Sequence, residues 1–180
     1  MQEYTPVLPF LQNALFRLFE EFPAEWSGLP RTEHCILEQV RGGISQLVSL
    51  FSAVQAEEPA HFMGDWFFWK HVRRLAESPR PWLELEGDVH FYEPPKTPFP
   101  DPVFRKFDAL VTGLGIEILG KNVDWLRQNP HDYWIGGVHL HPGNDWRWNA
   151  DRIQFLIKER SSMWKELFRL GSGMHIQVQV

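Results

Sequence analysis

Two groups of residues in this sequence have the types and spacing to do chemistry. The first is the run His61-Phe62-Met63-Gly64-Asp65-Trp66-Phe67-Phe68-Trp69-Lys70-His71-Val72-Arg73-Arg74-Leu75-Ala76. At about 100° per residue, Trp66, Trp69, Val72, Leu75 and Ala76 share one arc of a helix, and Lys70, His71 and Arg74 share the other with Phe67. Lys70 and Arg74 stand four apart, so two phosphates could meet them beside the flat ring of Phe67, with Arg80 just beyond the helix. Arg73 lies near the apolar arc, where it can snorkel or pair with a carboxylate. The plainer reading is a solvated face on a packed helix. The second group is His139 and His141, which project from one face of a strand at a spacing that suits two metal ligands. Asp145, His131 or Asp132 can join them through a turn. No third ligand is fixed by spacing, and a hydrogen-bonded role is the simpler one for histidines at a strand end.

Other chemistry finds less support. Trp134, Trp146 and Trp148 with Arg147 between them could stack a base, a sugar or a side chain. Trp146 and Trp148 on one strand face are more simply its buried side, with Arg147 outward. Cys35 and His34 are adjacent on a helix and point about 100° apart, so they form no dyad. No serine sits in a Gly-x-Ser-x-Gly setting, and Gly113-x-Gly115 lacks the third glycine of a phosphate loop. Nothing makes an enzyme the default, and no cofactor is implied.

The elements that must position these groups follow from periodicity and punctuation. Leu11, Ala14, Leu15, Leu18 and Phe22 predict a helix over residues 8–21 with that stripe inward. Thr32 caps a second helix, ending at Gly42-Gly43, and Ser45 caps a third, ending at Glu57-Glu58-Pro59. Asp65 is the expected N-cap of the central helix, which Ser78-Pro79 ends. Trp82–Glu86 and Val89–Tyr92 read as strands about a Gly87-Asp88 turn. Five prolines between Pro94 and Pro102 mark an extended connector. Leu114, Ile118 and Leu119 give a short helix ending at Gly120. Trp134–Leu140 reads as a strand whose Gly136-Gly137 pair marks a bulge or close packing. Asp145–Asn149 and Ile153–Ile157 complete a meander. Trp164, Leu167 and Phe168 suggest a last helix begun by Ser161 or Ser162, and residues 175–180 an edge strand.

The expected fold class is therefore α+β: a winged helix-turn-helix-like core with a small hairpin, then an antiparallel β-meander and a helix. The expected division is a winged-helix-like domain over 1–93, a connector over 94–106, and a Trp-rich sheet subdomain over 107–180 packed on the first.

The 180 residues carry 18 Lys and Arg against 23 Asp and Glu, a formal charge of −5. That balance opposes broad attraction to nucleic acid or anionic membrane and leaves only a local basic patch. Nine Trp and fourteen Phe point to an aromatic core or a contact surface. A single cysteine excludes an internal disulfide and a thiolate zinc cluster, and the cytoplasm is the expected compartment. The start carries no basic region followed by an apolar run, so no secretory signal is expected, nor any membrane span.

Three stretches also resemble a known family. Gly28-Leu29-Pro30-Arg31-Thr32-Glu33, then Phe62-Met63-Gly64-Asp65 with Phe68-Trp69, then Trp134–Leu140 with Trp146-Arg147-Trp148, are similar to the C-terminal half of a group of bacterial proteins classed as holding a domain of unknown function. The likeness covers most of residues 6–157. In that group a separate N-terminal domain usually precedes this half, and no counterpart of it is expected here. The segment Gly87–Lys106 is longer than usual for the group. The resemblance implies the order of elements and no activity. The expected function is a non-enzymatic interaction module using the central helix and the wing, with a protein or DNA as partner. The alternatives are a metal-binding or hydrolase-like site at His139, His141 and Asp145, or a structural subunit of a larger assembly.

Overall fold

The structure is a computed structural model, and it describes residues 8–86, 107–120, 123–158 and 164–169. The chain is mixed helix and antiparallel sheet, as the α+β reading expects. Its contacts group into two units. One gathers the described residues of Met1–Arg31 and His131–Val180, the other those of Thr32–Pro130. This differs from a division at 93 and 106, because strand and helix segments after the prolines belong with the helices before them.

The first unit opens with α1 (Leu11–Phe19). Its inward arc is not the expected leucine stripe. Phe16 and Phe19 pack against a core of Phe22, Leu140, Trp148 and Phe155, whereas Leu11, Leu15 and Leu18 are exposed. The helix carries two apolar arcs, and the aromatic one makes the larger burial.

The sheet elements of this unit depart from expectation in three places. Trp134–Leu140 is two strands, β3 (Tyr133–Ile135) and β4 (Val138–Leu140), paired antiparallel with Trp134 opposite His139. Gly136 and Gly137 form the turn between them with φ of 54° and 82°. Two successive positive φ values are what a two-residue hairpin turn of matching twist requires, and glycine supplies them without a Cβ clash. The other strands are β5 (Asp145–Asn149), β6 (Gln154–Lys158) and β7 (Trp164–Arg169), in that order in one antiparallel sheet. β7 was expected as a helix. The i, i+3, i+4 spacing of Trp164, Leu167 and Phe168 mimics a helical stripe, but pairing with β6 overrides that local pattern. Third, Arg147 on β5 is fully buried rather than outward. The far edge of β5 is bridged by Ala24, with Trp148 N–H bonded to Pro23 O at 2.8 Å and Glu25 N–H to Trp148 O at 2.9 Å, so chain lies on that side too.

The second unit runs α2 (Arg31–Arg41, from its second residue), α3 (Leu47–Ala56), α4 (Asp65–Glu77), β1 (Leu83–Glu86), β2 (Asp108–Val111), α5 (Gly113–Leu119) and α6 (Trp125–Gln128). Two caps fall one residue from expectation. Gly64, not Asp65, is the N-cap of α4, and Asp65 lies in the first turn, its carboxylate accepting from Trp66 N–H at 2.7 Å. Gln46, not Ser45, caps α3, its side chain accepting from Ser49 N–H at 2.9 Å. Ser45 is used otherwise: its hydroxyl donates to Asp108 at 2.7 Å and its carbonyl accepts from Ala109 N–H at 2.9 Å. α2 likewise starts at Arg31, with Thr32 inside it.

The described partner of β1 is β2, with Leu83 opposite Val111 and Glu86 opposite Asp108. The expected second wing strand at 89–92, the Gly87-Asp88 turn, the proline connector, Ser161, Ser162 and the 175–180 strand lie outside the described residues. Phe68 meets Phe51 of α3 at 5.2 Å between ring centroids, and Trp69 stacks on Phe107 at 6.3 Å. Phe68, Trp69 and Phe107 are buried together with Leu50, Val72, Leu75, Trp82, Leu83 and Ile118, whereas Phe51 is half-buried. Among the described residues no helix is long and apolar enough to cross a membrane.

Candidate functional site

α4 buries Phe68, Trp69, Val72 and Leu75. Trp66, expected inward, is only half-buried, because the arc that meets Phe51 of α3 and β1 is centred on Phe68 and Val72. The opposite arc carries Phe67, 60% exposed, with the Lys70 ammonium 5.4 Å from its ring centroid.

The two remaining cations of the expected face turn aside. Glu33 on α2 has no exposed surface, and its Oε1 lies 3.2 Å from His71 Nδ1 and 3.3 Å from Arg74 Nη1. The Arg74 guanidinium also lies over the Trp125 ring, 4.3 Å from its centroid. Desolvating Glu33 is made tolerable by these two groups, one turn apart on α4, which tie α4 to α2. Among the described residues the other carboxylate oxygen of Glu33 has no hydrogen-bond partner. Arg73 pairs with Glu77 on the surface, as its spacing from a carboxylate allows. Arg80 stands apart: its backbone N–H donates to Asn129 Oδ1 at 3.0 Å and its guanidinium to Gln128 at the end of α6. The expected group of five thus divides into Phe67 with Lys70, His71 with Arg74, and Arg80 alone.

Glu33 and Trp125 were not singled out on sequence. The signal for Glu33 was present: it shares the helical stripe of Ile36, Leu37 and Val40, where a carboxylate needs a partner. Nothing local marks Trp125, since α6 is a single turn.

In the first unit, the β3–β4 hairpin has two faces of opposite character. Tyr133, Ile135, Val138 and Leu140 lie on the core side. Asp132, Trp134, His139 and His141 lie on the other, by strand alternation. Trp134 is 69% exposed and stacks on the His139 ring at 4.6 Å with 4° between planes. His139 Nε2 lies 2.6 Å from Asp132 Oδ1, and its ring centroid is 4.9 Å from that of His141. The hydrogen bond with His139 is the main reason the Asp132 carboxyl is held below its ordinary range. Asp145, grouped on sequence with His139 and His141, is bonded instead to the buried His131, Nε2 to Oδ1 at 2.7 Å. The histidine pair therefore sits with Asp132, not with Asp145. Among the described residues no three His, Cys, Asp or Glu side chains are gathered to hold a metal ion.

No family model, no curated protein and no solved structure matches the chain.

Proposed function

We propose that the second unit is a winged-helix-like interaction module that binds a protein partner through the outer face of α4. The observation that carries this is Phe67, exposed beneath the Lys70 ammonium on a helix that buries Phe68, Trp69, Val72 and Leu75. An exposed aromatic with a cation beside it is the composition of an interface anchor.

The order of elements supports the winged-helix reading. α2 leads to a segment at Gln46 that bridges to Asp108 on β2, then come α3, α4 and the β1–β2 pair. In that arrangement α4 is the third helix, the one offered for recognition. The same order supports kinship with the bacterial group of unassigned activity that the sequence resembles.

Protein is favoured over DNA by charge. Arg73 is matched by Glu77 and Arg74 by Glu33, and the chain is −5 overall, so α4 offers little to a phosphate backbone. The test is a benzophenone photo-crosslinking side chain placed at position 67 in the intact chain, with a mobility assay on random-sequence duplex alongside. We expect protein adducts from position 67 and none from position 84, on β1, under the same light dose, and no duplex shift at moderate salt. Adducts equally strong at both positions, or a duplex shift without adducts, would overturn the proposal.

A further inference from the structure

We propose that His139 on β4 and His141 just beyond it form a two-imidazole chelate for a divalent cation of the copper, nickel and zinc class. The site lies in the other unit and does not depend on the role given to α4.

The direction of two hydrogen bonds carries the inference. His139 Nε2 lies 2.6 Å from a carboxylate oxygen of Asp132, and His141 Nδ1 lies 3.2 Å from the Pro142 carbonyl oxygen. Both oxygens accept, so each of those ring nitrogens holds the proton and donates it. In a neutral imidazole the other nitrogen is then a lone pair, which makes Nδ1 of His139 and Nε2 of His141 the ligand atoms. A ring N–H donated to a carboxylate or a backbone carbonyl is the support that fixes tautomer and ring angle in metal-bound histidines. The spacing of the rings agrees. Two imidazoles sharing one cation at about 2.0–2.1 Å per nitrogen, at an angle between square and tetrahedral, have ring centroids roughly 4.5–5.3 Å apart. The centroids of His139 and His141 are 4.9 Å apart. Trp134 stacks on His139 within 4° of parallel, which holds the first ring in place. Both histidines are half-buried, so solvent ions reach them. Among the described residues no group of three such ligands is gathered, so two imidazoles hold the ion and its other positions stay open to water. Nitrogen ligands favour copper, then nickel and zinc, over magnesium or calcium, which prefer oxygen.

The experiment is a calorimetric titration of the intact chain, first stripped with a chelator, with Cu²⁺, Ni²⁺, Zn²⁺ and Mg²⁺ at neutral pH. The expected result is one ion bound per chain, copper more tightly than nickel or zinc, and no heat from magnesium. His139→Gln and His141→Gln should each lower copper affinity at least tenfold (about 1.4 kcal/mol), since each leaves a single imidazole. Asp132→Ala, which keeps both ligands but removes the acceptor behind His139, should lower it about tenfold. His61→Gln, at an exposed histidine outside the pair, should leave it unchanged. Full copper affinity in either His139→Gln or His141→Gln would place the ion on others of the eight histidines and overturn the site. No saturable binding of copper, nickel or zinc would overturn it too, and so would magnesium binding as tightly as copper. Unfolding midpoints of the metal-free variants check that they fold. His141→Gln leaves the Asp132–His139 bond and the Trp134 stack in place, so the test stands even if His139→Gln unfolds.

Discussion

Glu33 has no exposed surface, and what makes it bearable is the pair of donors on α4. Replacing it by leucine removes the buried charge and takes the carboxylate from the Arg74 guanidinium, which keeps about a quarter of its surface in water. We expect Glu33→Leu to cost about 2–4 kcal/mol in urea unfolding. Arg73→Gln, which breaks the exposed pair with Glu77, should cost less than about 0.5 kcal/mol. Equal losses would mean that Glu33 does not tie α2 to α4. Asp132 carries a pH effect with a definite sign. Its folded carboxyl is held below the ordinary value of 3.8, chiefly by His139. The stabilisation is therefore present above that value and lost as pH falls through the lower folded one. Asp132→Asn should lower the thermal midpoint at neutral pH and leave it close to wild type near about pH 2, so the two curves converge in acid. Curves that stay parallel would sever Asp132 from His139. At this scale the sequence placed the right residues but not their partners. Arg74 and His71 read as outward cations because a helical wheel records direction from the axis, not the reach of a long side chain to a carboxylate on another helix.

Glycine fixes two of the elements. On α5, a Cβ at Gly115 would lie 2.4 Å from the Trp82 carbonyl and 2.5 Å from a methyl of Val111. The first of these is backbone and cannot step aside, so Gly115→Ala should cost about 1–3 kcal/mol, read as a fall in unfolding midpoint. Gly113→Ala, where a Cβ meets nothing within 4 Å, is the matched control and should be near neutral. The glycine pair read on sequence as a failed phosphate loop thus has one member that close packing demands. Element boundaries were legible where punctuation was strong: α4 stops at Ser78, α5 at Gly120, and β5 matches Asp145–Asn149. The face of α1 was not legible, because Leu11, Leu15 and Leu18 form one apolar arc and Phe16 and Phe19 another. Which arc faces inward depends on a sheet more than a hundred residues away. β7 was missed for the same reason, its pairing with β6 being a long-range choice that local spacing misrepresents.

For the whole molecule, composition set the terms of the functional reading. A net charge of −5 with nine tryptophans argues for contact through aromatic surface rather than through phosphate, and the ion pairs on α4 sharpen that preference. What composition could not give is which aromatics stay outside; Phe67 and Phe68 are adjacent and chemically the same, and only tertiary packing separates them. The most direct test of the account is the affinity of the partner crosslinked at position 67 for the wild-type chain and for Phe67→Ala combined with Lys70→Glu, measured by calorimetry. The account predicts at least a tenfold loss of affinity (about 1.4 kcal/mol), with the unfolding midpoint of the free variant within a degree or two of wild type. Undiminished affinity in a stably folded double variant would contradict it.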